Sequence, residues 1–288
     1  MSLCVFDKGR GRLLILLLAS ILQSTLAASQ ELPDAPSAVM RTSFYAAGDS
    51  ANSADPRQSS AGVSADSSRD KFLTRWVKRG LRDQADIYTA PLHRSGMKWT
   101  IGLPLVTAGL IAIDKHASGA LPRNPSSASA DISDVGLFAT AGAVGVLLID
   151  GKTQSDSHAF ETGVLGAEAT ANSGVVYAVL QLIAERERPL QGTGQGHFFQ
   201  TSGLDNSFPS GPTIITRTAA STIAHEYPKP WVEWLAYGTA GAVSVTRFTS
   251  LQHFPSDVVV GSRLGYLIGR HIFHAHCKVG LSAACIAK

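Results

Sequence analysis

Three short blocks in the C-terminal half gather residues suited to holding and attacking a phosphate: Arg186-Glu187-Arg188-Pro189, Ser207-Phe208-Pro209-Ser210-Gly211-Pro212, and Thr246-Arg247 followed by His253 and Asp257. An arginine presents a planar fork of N–H donors that matches phosphate oxygens, so Arg188 and Arg247 on separate segments could grip a tetrahedral anion from two sides. Ser210 and Gly211 stand just ahead of an apolar stretch that begins near Thr213. If that stretch is a helix, a hydroxyl, free backbone N–H groups and the positive end of the helix dipole meet there, although an ordinary N-cap has the same pattern. His253 and Asp257 lie four apart with Pro255 between them, which predicts a loop running into a helix near Ser256. The carboxylate would then hold one imidazole nitrogen and leave the other free to attack. A purely structural His–Asp pair fits the same spacing.

The segments that must carry these blocks are apolar and rich in small residues: 99–113, 135–149, 162–184, 213–224, 231–246 and 258–268. Pro, Gly and charge separate them, and none alternates with period two, so the fold class is all-α, a helical bundle of about six core helices. Before them, Phe72, Leu73, Trp76 and Val77 recur at helical spacing from Asp70 onward, with Lys71, Arg75, Lys78, Arg79 and Arg82 on the other face. That face suits either an anionic membrane surface or a solvated cap on the domain. The runs between Lys98 and Asp114, and between Asp134 and Asp150, are short for crossing a bilayer. Glu168, Asn172, Arg217 and Glu233 would have to face the bundle interior if their segments did so.

Residues 1–28 read as a secretory signal peptide, with a basic start through Arg12, an apolar run and small residues at Ala27 and Ala28. Residues 29–69 read as a disordered spacer rich in Ser, Ala, Asp and Pro. The catalytic-type domain is expected over 70–276 and a tail over 277–288. The chain is therefore expected to be exported, to the periplasm or a membrane-associated place in the cell envelope. A formal charge of +3 over 288 residues, most of it carried by Lys8, Arg10 and Arg12, argues against nucleic acid as a partner. With Cys4 in the signal, Cys277 and Cys285 are left either as a disulfide or as two free thiols in a loose tail.

The order and spacing of the three blocks resemble the signature of the type 2 phosphatidic acid phosphatase and vanadium haloperoxidase superfamily, K-x6-R-P, P-S-G-H and S-R-x5-H-x3-D. Arg188-Pro189, Pro209-Ser210-Gly211 and Arg247, His253 and Asp257 carry the match, over roughly residues 162–270. The resemblance implies a phosphatase or diphosphatase acting on a phosphorylated lipid or small-molecule phosphate. His253 would be the nucleophile of a phosphohistidine intermediate and Asp257 its support, with Arg188, Arg247, Ser210 and Gly211 binding phosphate. It implies no metal and no cofactor, whereas in the related haloperoxidases the equivalent histidine ligates vanadate.

Two positions depart from the signature. Gln181 stands where the family has lysine, and Pro212 stands where it has the histidine that protonates the leaving oxygen. Proline suits the first turn of a helix but has no proton to give. Loss of a general acid typically costs about 10²- to 10⁴-fold in rate, and His197, His225 and Glu187 are the nearby replacements in sequence. Substrates with stable leaving groups, such as diphosphates and aryl phosphates, should suffer least. The alternative is a catalytically inactive family member that binds a phosphorylated lipid or serves as a membrane-associated structural domain. His271, His274 and His276 are poorly spaced for a metal site.

Overall fold

The computed structural model describes residues 61–90, 97–124 and 127–285; the segment read as signal peptide and most of the spacer lie outside the described residues. The described residues form seven helices and no strand: α1 Ala61–Thr89, α2 Met97–Gly119, α3 Ser127–Thr153, α4 Ser157–Ala184, α5 Gly211–Glu226, α6 Pro230–Thr249 and α7 Pro255–His276. The last six contain the six apolar segments read from the sequence. Helix α1 begins at Ala61, nine residues inside the stretch read as spacer. Charged residues that bounded the apolar runs did not end the helices: α2 runs on past Asp114, and α3 takes in both Asp134 and Asp150.

Local chemistry starts the helices that carry the blocks. The Asp156 side chain accepts from the backbone N–H groups of His158 and Ala159 and opens α4. Prolines Pro212, Pro230 and Pro255 occupy the first turns of α5, α6 and α7, where a missing N–H costs no helical hydrogen bond.

Helix α5 lies at the centre, packed against α4, α6 and α7. Leu165, Ala169 and Val176 of α4, Ile214 of α5, and Ile268 and Ile272 of α7 form the apolar core. The α5–α7 contact is very close. A Cβ on Gly265 would sit 2.4 Å from the Ile214 carbonyl oxygen, and one on Gly269 would sit 2.4 Å from that of Thr218. Because these neighbours are backbone atoms that cannot swing away, glycine at this four-residue spacing is what lets the two helices touch. Three hydroxyls buried on α5 bond to its own carbonyls, Thr216 to Pro212 at 2.8 Å, Thr218 to Ile214 at 2.7 Å and Thr222 to Thr218 at 3.1 Å, whereas Ser221 donates across to Tyr266 O of α7 at 3.0 Å.

Helix α1 joins the bundle mainly through polar groups. Arg79 pairs with Glu168 at 2.6 Å, Gln84 donates to Asn172 Oδ1 at 2.7 Å, and Asp83 meets His276 Nε2 at 2.6 Å. Glu168 and Asn172 are thus buried and partnered, as their place in apolar segments requires. Trp76, Val77, Leu81 and Tyr88 of α1 remain exposed. Among the described residues one helical stretch, Ala128–Thr153, is long and apolar enough to cross a membrane; its mean hydropathy is 1.9 and only 11% of it is buried. The C-terminal segment is tied down: Cys277 and Cys285 form a disulfide, and Lys278 meets Glu161 at 2.5 Å.

If the α5–α7 contact governs stability, Gly265→Ala should destabilise the protein by about 1–3 kcal/mol through overpacking. Gly238→Ala, where a Cβ meets nothing within 4 Å, should be neutral or stabilising by up to about 1 kcal/mol. Thermal unfolding of the two variants in detergent checks the contrast.

Candidate active site

The three blocks meet at one end of the bundle, where α4 and α6 finish and α5 and α7 begin. The loop from 185 to 210 is anchored there by main-chain bonds from Ser207 N to Arg186 O at 2.8 Å and from Ser210 N to Asp257 O at 3.2 Å.

Arg186 organises this end. It is 1% exposed, and donates to Asp114 of α2 at 2.7 Å, Ser256 Oγ at 2.7 Å, Gly196 O at 3.0 Å and Asp257 Oδ1. The rings of Phe198 and Phe254 cover its guanidinium at 4.8 and 4.4 Å. A buried cation with two buried carboxylates is tolerable only because nearly every donor finds an acceptor. Gly196, with φ of +72°, makes this possible, since a Cβ there would strike the Phe254 ring at 2.7 Å.

Asp257 does not hold the imidazole, contrary to the expectation from spacing. Its carboxylate accepts from Arg186, from Ser207 Oγ at 2.5 Å and from Phe254 N at 2.8 Å. The His253 ring nitrogen Nδ1 instead lies 2.7 Å from the Ser207 carbonyl. The reason is that Arg186 is the stronger partner for a buried carboxylate, so Asp257 positions Ser207 and Ser207 positions His253. A carbonyl only accepts, so Nδ1 carries the proton and Nε2 keeps its lone pair. Burial, reinforced by the positive fields of Arg188, Arg247 and Arg186 and opposed by the Ser207 bond, pushes the His253 pKa down to about 3. The ring is neutral across ordinary pH and needs no prior deprotonation to act as a nucleophile.

Arg188 pairs with the exposed Asp205 at 2.7 Å, and Arg247 with Asp134 of α3 at 2.5 Å and with Gln252. Each guanidinium keeps a buried Nε–H without an acceptor among the described residues. Ser210 is buried and its hydroxyl donates to Thr213 Oγ1 at 2.9 Å, so it is turned along α5 and makes no backbone cap. Gly211 and Thr213 contribute first-turn N–H groups to α5, while Pro212 contributes none.

Gln181 takes no part in gripping an anion. Its Nε2 donates to the carbonyls of Asn206 and Pro209, both at 3.1 Å, and its Oε1 accepts from Asn206 N at 3.2 Å. The amide at the family's lysine position therefore clamps the loop. Of the replacement acids, Glu187 accepts from Thr193 Oγ1 at 2.9 Å and His197 is exposed. His225 sits near the far end of α5, roughly 20 Å along the helix from Pro212. His271, His274 and His276 do not converge. His276 instead joins Asp83 and Glu168 in a group whose ligand-type atoms lie within 4.8 Å of one another, with Arg79 already paired to Glu168.

The sequence reading missed Arg186, Ser207, Asp114, Asp134 and Asp205 as parts of this site. The first two stand inside the quoted blocks. Asp114 and Asp134 had no local signal, because Asp114 is 72 residues from Arg186 and Asp134 is 113 from Arg247.

Replacing Arg186 with Met would strand two buried carboxylates, which should cost about 3–5 kcal/mol. Arg188→Met, which breaks a half-solvated pair, should cost about 1 kcal/mol or less. Comparable unfolding temperatures for the two variants would contradict the hub.

The family model of the PAP2 superfamily matches residues 163–280. A lipid A 1-phosphatase from Porphyromonas gingivalis is 37% identical over 67 residues, which span 22% of this chain and 15% of that protein. The crystal structure of a transmembrane PAP2 type phosphatidylglycerolphosphate phosphatase from Bacillus subtilis is similar with a TM-score of 0.44 and 20% identity, over 72% of this chain and 98% of that one. The match to the PAP2 superfamily falls on residues 163–280, the stretch that holds all three blocks.

Proposed function

We propose that this protein is a phosphatase that removes a phosphoryl group from a phosphorylated lipid at a membrane of the cell envelope, through a phosphohistidine at His253. The observation that carries the reading is the state of His253. Its Nδ1 is engaged by the Ser207 carbonyl, its pKa is far below neutrality, and its ring lies in the field of Arg188 and Arg247, each with an unpartnered buried N–H.

In this scheme the phosphate displaces Asp205 and Asp134 from the two arginines and takes first-turn N–H groups of α5 on its remaining oxygens. The Nε2 lone pair of His253 attacks phosphorus as the bond to the leaving oxygen breaks. Water then attacks phosphorus, the P–N bond breaks, and His253 returns to neutrality. Asp257 acts as a positioning residue through Ser207. The lipid class is suggested by the lipid A 1-phosphatase relative and by the apolar outer face of α3. Export to the periplasmic side belongs to the same proposal and is supported by the signal-like residues 1–28.

A second reading, an inactive member that binds a phosphorylated lipid, is favoured by Pro212 and by the engagement of Gln181 in the loop. Phosphate release from a short-chain phosphatidic acid by detergent-purified protein separates the two. Under the phosphatase reading His253→Ala falls to background and Arg247→Ala loses roughly 10- to 100-fold in kcat/KM, the worth of a charged hydrogen bond. No release by the wild type, or equal release by His253→Ala, would contradict it.

A further inference from the structure

Pro212 leaves the reaction without the proton donor that normally follows the glycine of the second block, yet another donor stands beside that glycine. We infer that the phenol of Tyr177 protonates the leaving oxygen. The inference rests on the phosphatase reading and assigns one step within it.

Tyr177 lies on α4 one turn before Gln181, so the two side chains share a face. Gln181 reaches the carbonyl of Pro209 at 3.1 Å, and Tyr177 reaches the next turn of the same strand of chain. A Cβ built on Gly211 would lie 2.8 and 2.9 Å from the Tyr177 ring and 3.2 Å from its hydroxyl oxygen. The phenol is thus packed against the first residue of α5, next to Pro212, and any side chain at Gly211 would drive it away.

Two further observations direct it to the reacting centre. Arg188 and Arg247, whose charges act on His253, are also the cations whose fields act on Tyr177. The phenol oxygen has no hydrogen-bond partner among the described residues. A half-buried hydroxyl that shares two arginines with the nucleophile and bonds to no acceptor among the described residues is placed to meet a substrate oxygen.

The protons balance. As His253 Nε2 bonds to phosphorus and the leaving oxygen departs, that oxygen takes the phenol proton and Tyr177 becomes a transient phenolate, which burial and Asp205 disfavour and the two arginines favour. When water attacks phosphorus and the P–N bond breaks, the phenolate takes a proton from that water, so both residues return to their starting forms. A phenol is a weaker acid than an imidazolium, and it helps most when the leaving oxygen would otherwise depart as a strongly basic alkoxide.

Tyr177→Phe keeps the ring against Gly211 and removes only the proton. With short-chain phosphatidic acid, whose leaving group is an alkoxide, kcat should fall about 10²-fold; with 4-nitrophenyl phosphate, which needs no proton, the loss should stay under about 10-fold. Adding Pro212→His to Tyr177→Phe should recover the phosphatidic acid rate and move the alkaline limb of the pH profile toward neutrality, because an imidazolium loses its proton before a phenol does. Equal losses on both substrates, or no loss on phosphatidic acid, would overturn the role of Tyr177 while leaving the phosphatase standing. A wild type inert toward both substrates would instead remove the phosphatase reading and this step with it.

Discussion

A buried guanidinium cannot be left with unmatched donors, and the reacting end of this bundle is arranged around that constraint. Arg186 draws Asp114 from α2, Ser256 and Asp257 from α7 and the Gly196 carbonyl from the loop to a single point. Once Asp257 is committed to Arg186, its second oxygen takes Ser207, and the Ser207 carbonyl fixes the tautomer of His253. His253 is oriented by a relay of ordinary hydrogen bonds that starts at a buried charge. Substitutions at the hub are therefore expected to act on geometry first and chemistry second.

The rest of the fold keeps that relay rigid while facing two environments. Glycines on α7 bring its backbone against α5, so the His253 loop, the first turn of α7 with Asp257 and the α5 N-terminus cannot drift apart. Outside, Phe138 and Ile149 of α3 and Trp234 of α6 are exposed. Exposed apolar residues of this size on several helices suit a lipid environment better than water. The exposed carboxylates of Asp205 and Asp134 hold Arg188 and Arg247 in ion pairs, which in the proposed reaction an incoming dianion outcompetes.

The helices were legible because apolar content and small residues repeat over stretches longer than any strand. Their ends were less so. Asp114 and Asp134 read as punctuation between apolar runs, whereas each is an internal helical residue whose charge is answered by an arginine far along the chain. Motif spacing placed Arg188, Arg247, His253 and Asp257 at one end of the bundle, but spacing carries no information about competition among partners. It could not reveal that Arg186 takes Asp257 from the imidazole, or that Gln181 clamps the loop. Tyr177 was invisible for a related reason: it lies in no motif, and its relation to Gly211 exists only once α4 and α5 are packed.

The central claim is that His253 becomes covalently phosphorylated. The most direct measurement is to mix the purified protein with a substrate carrying a radiolabelled phosphoryl group, quench in alkali, which preserves a phosphorus–nitrogen bond, and map the label by peptide. Label on the peptide containing His253, released by mild acid, is the predicted result. Turnover with no label on that peptide, or with an acid-stable label elsewhere, would contradict it.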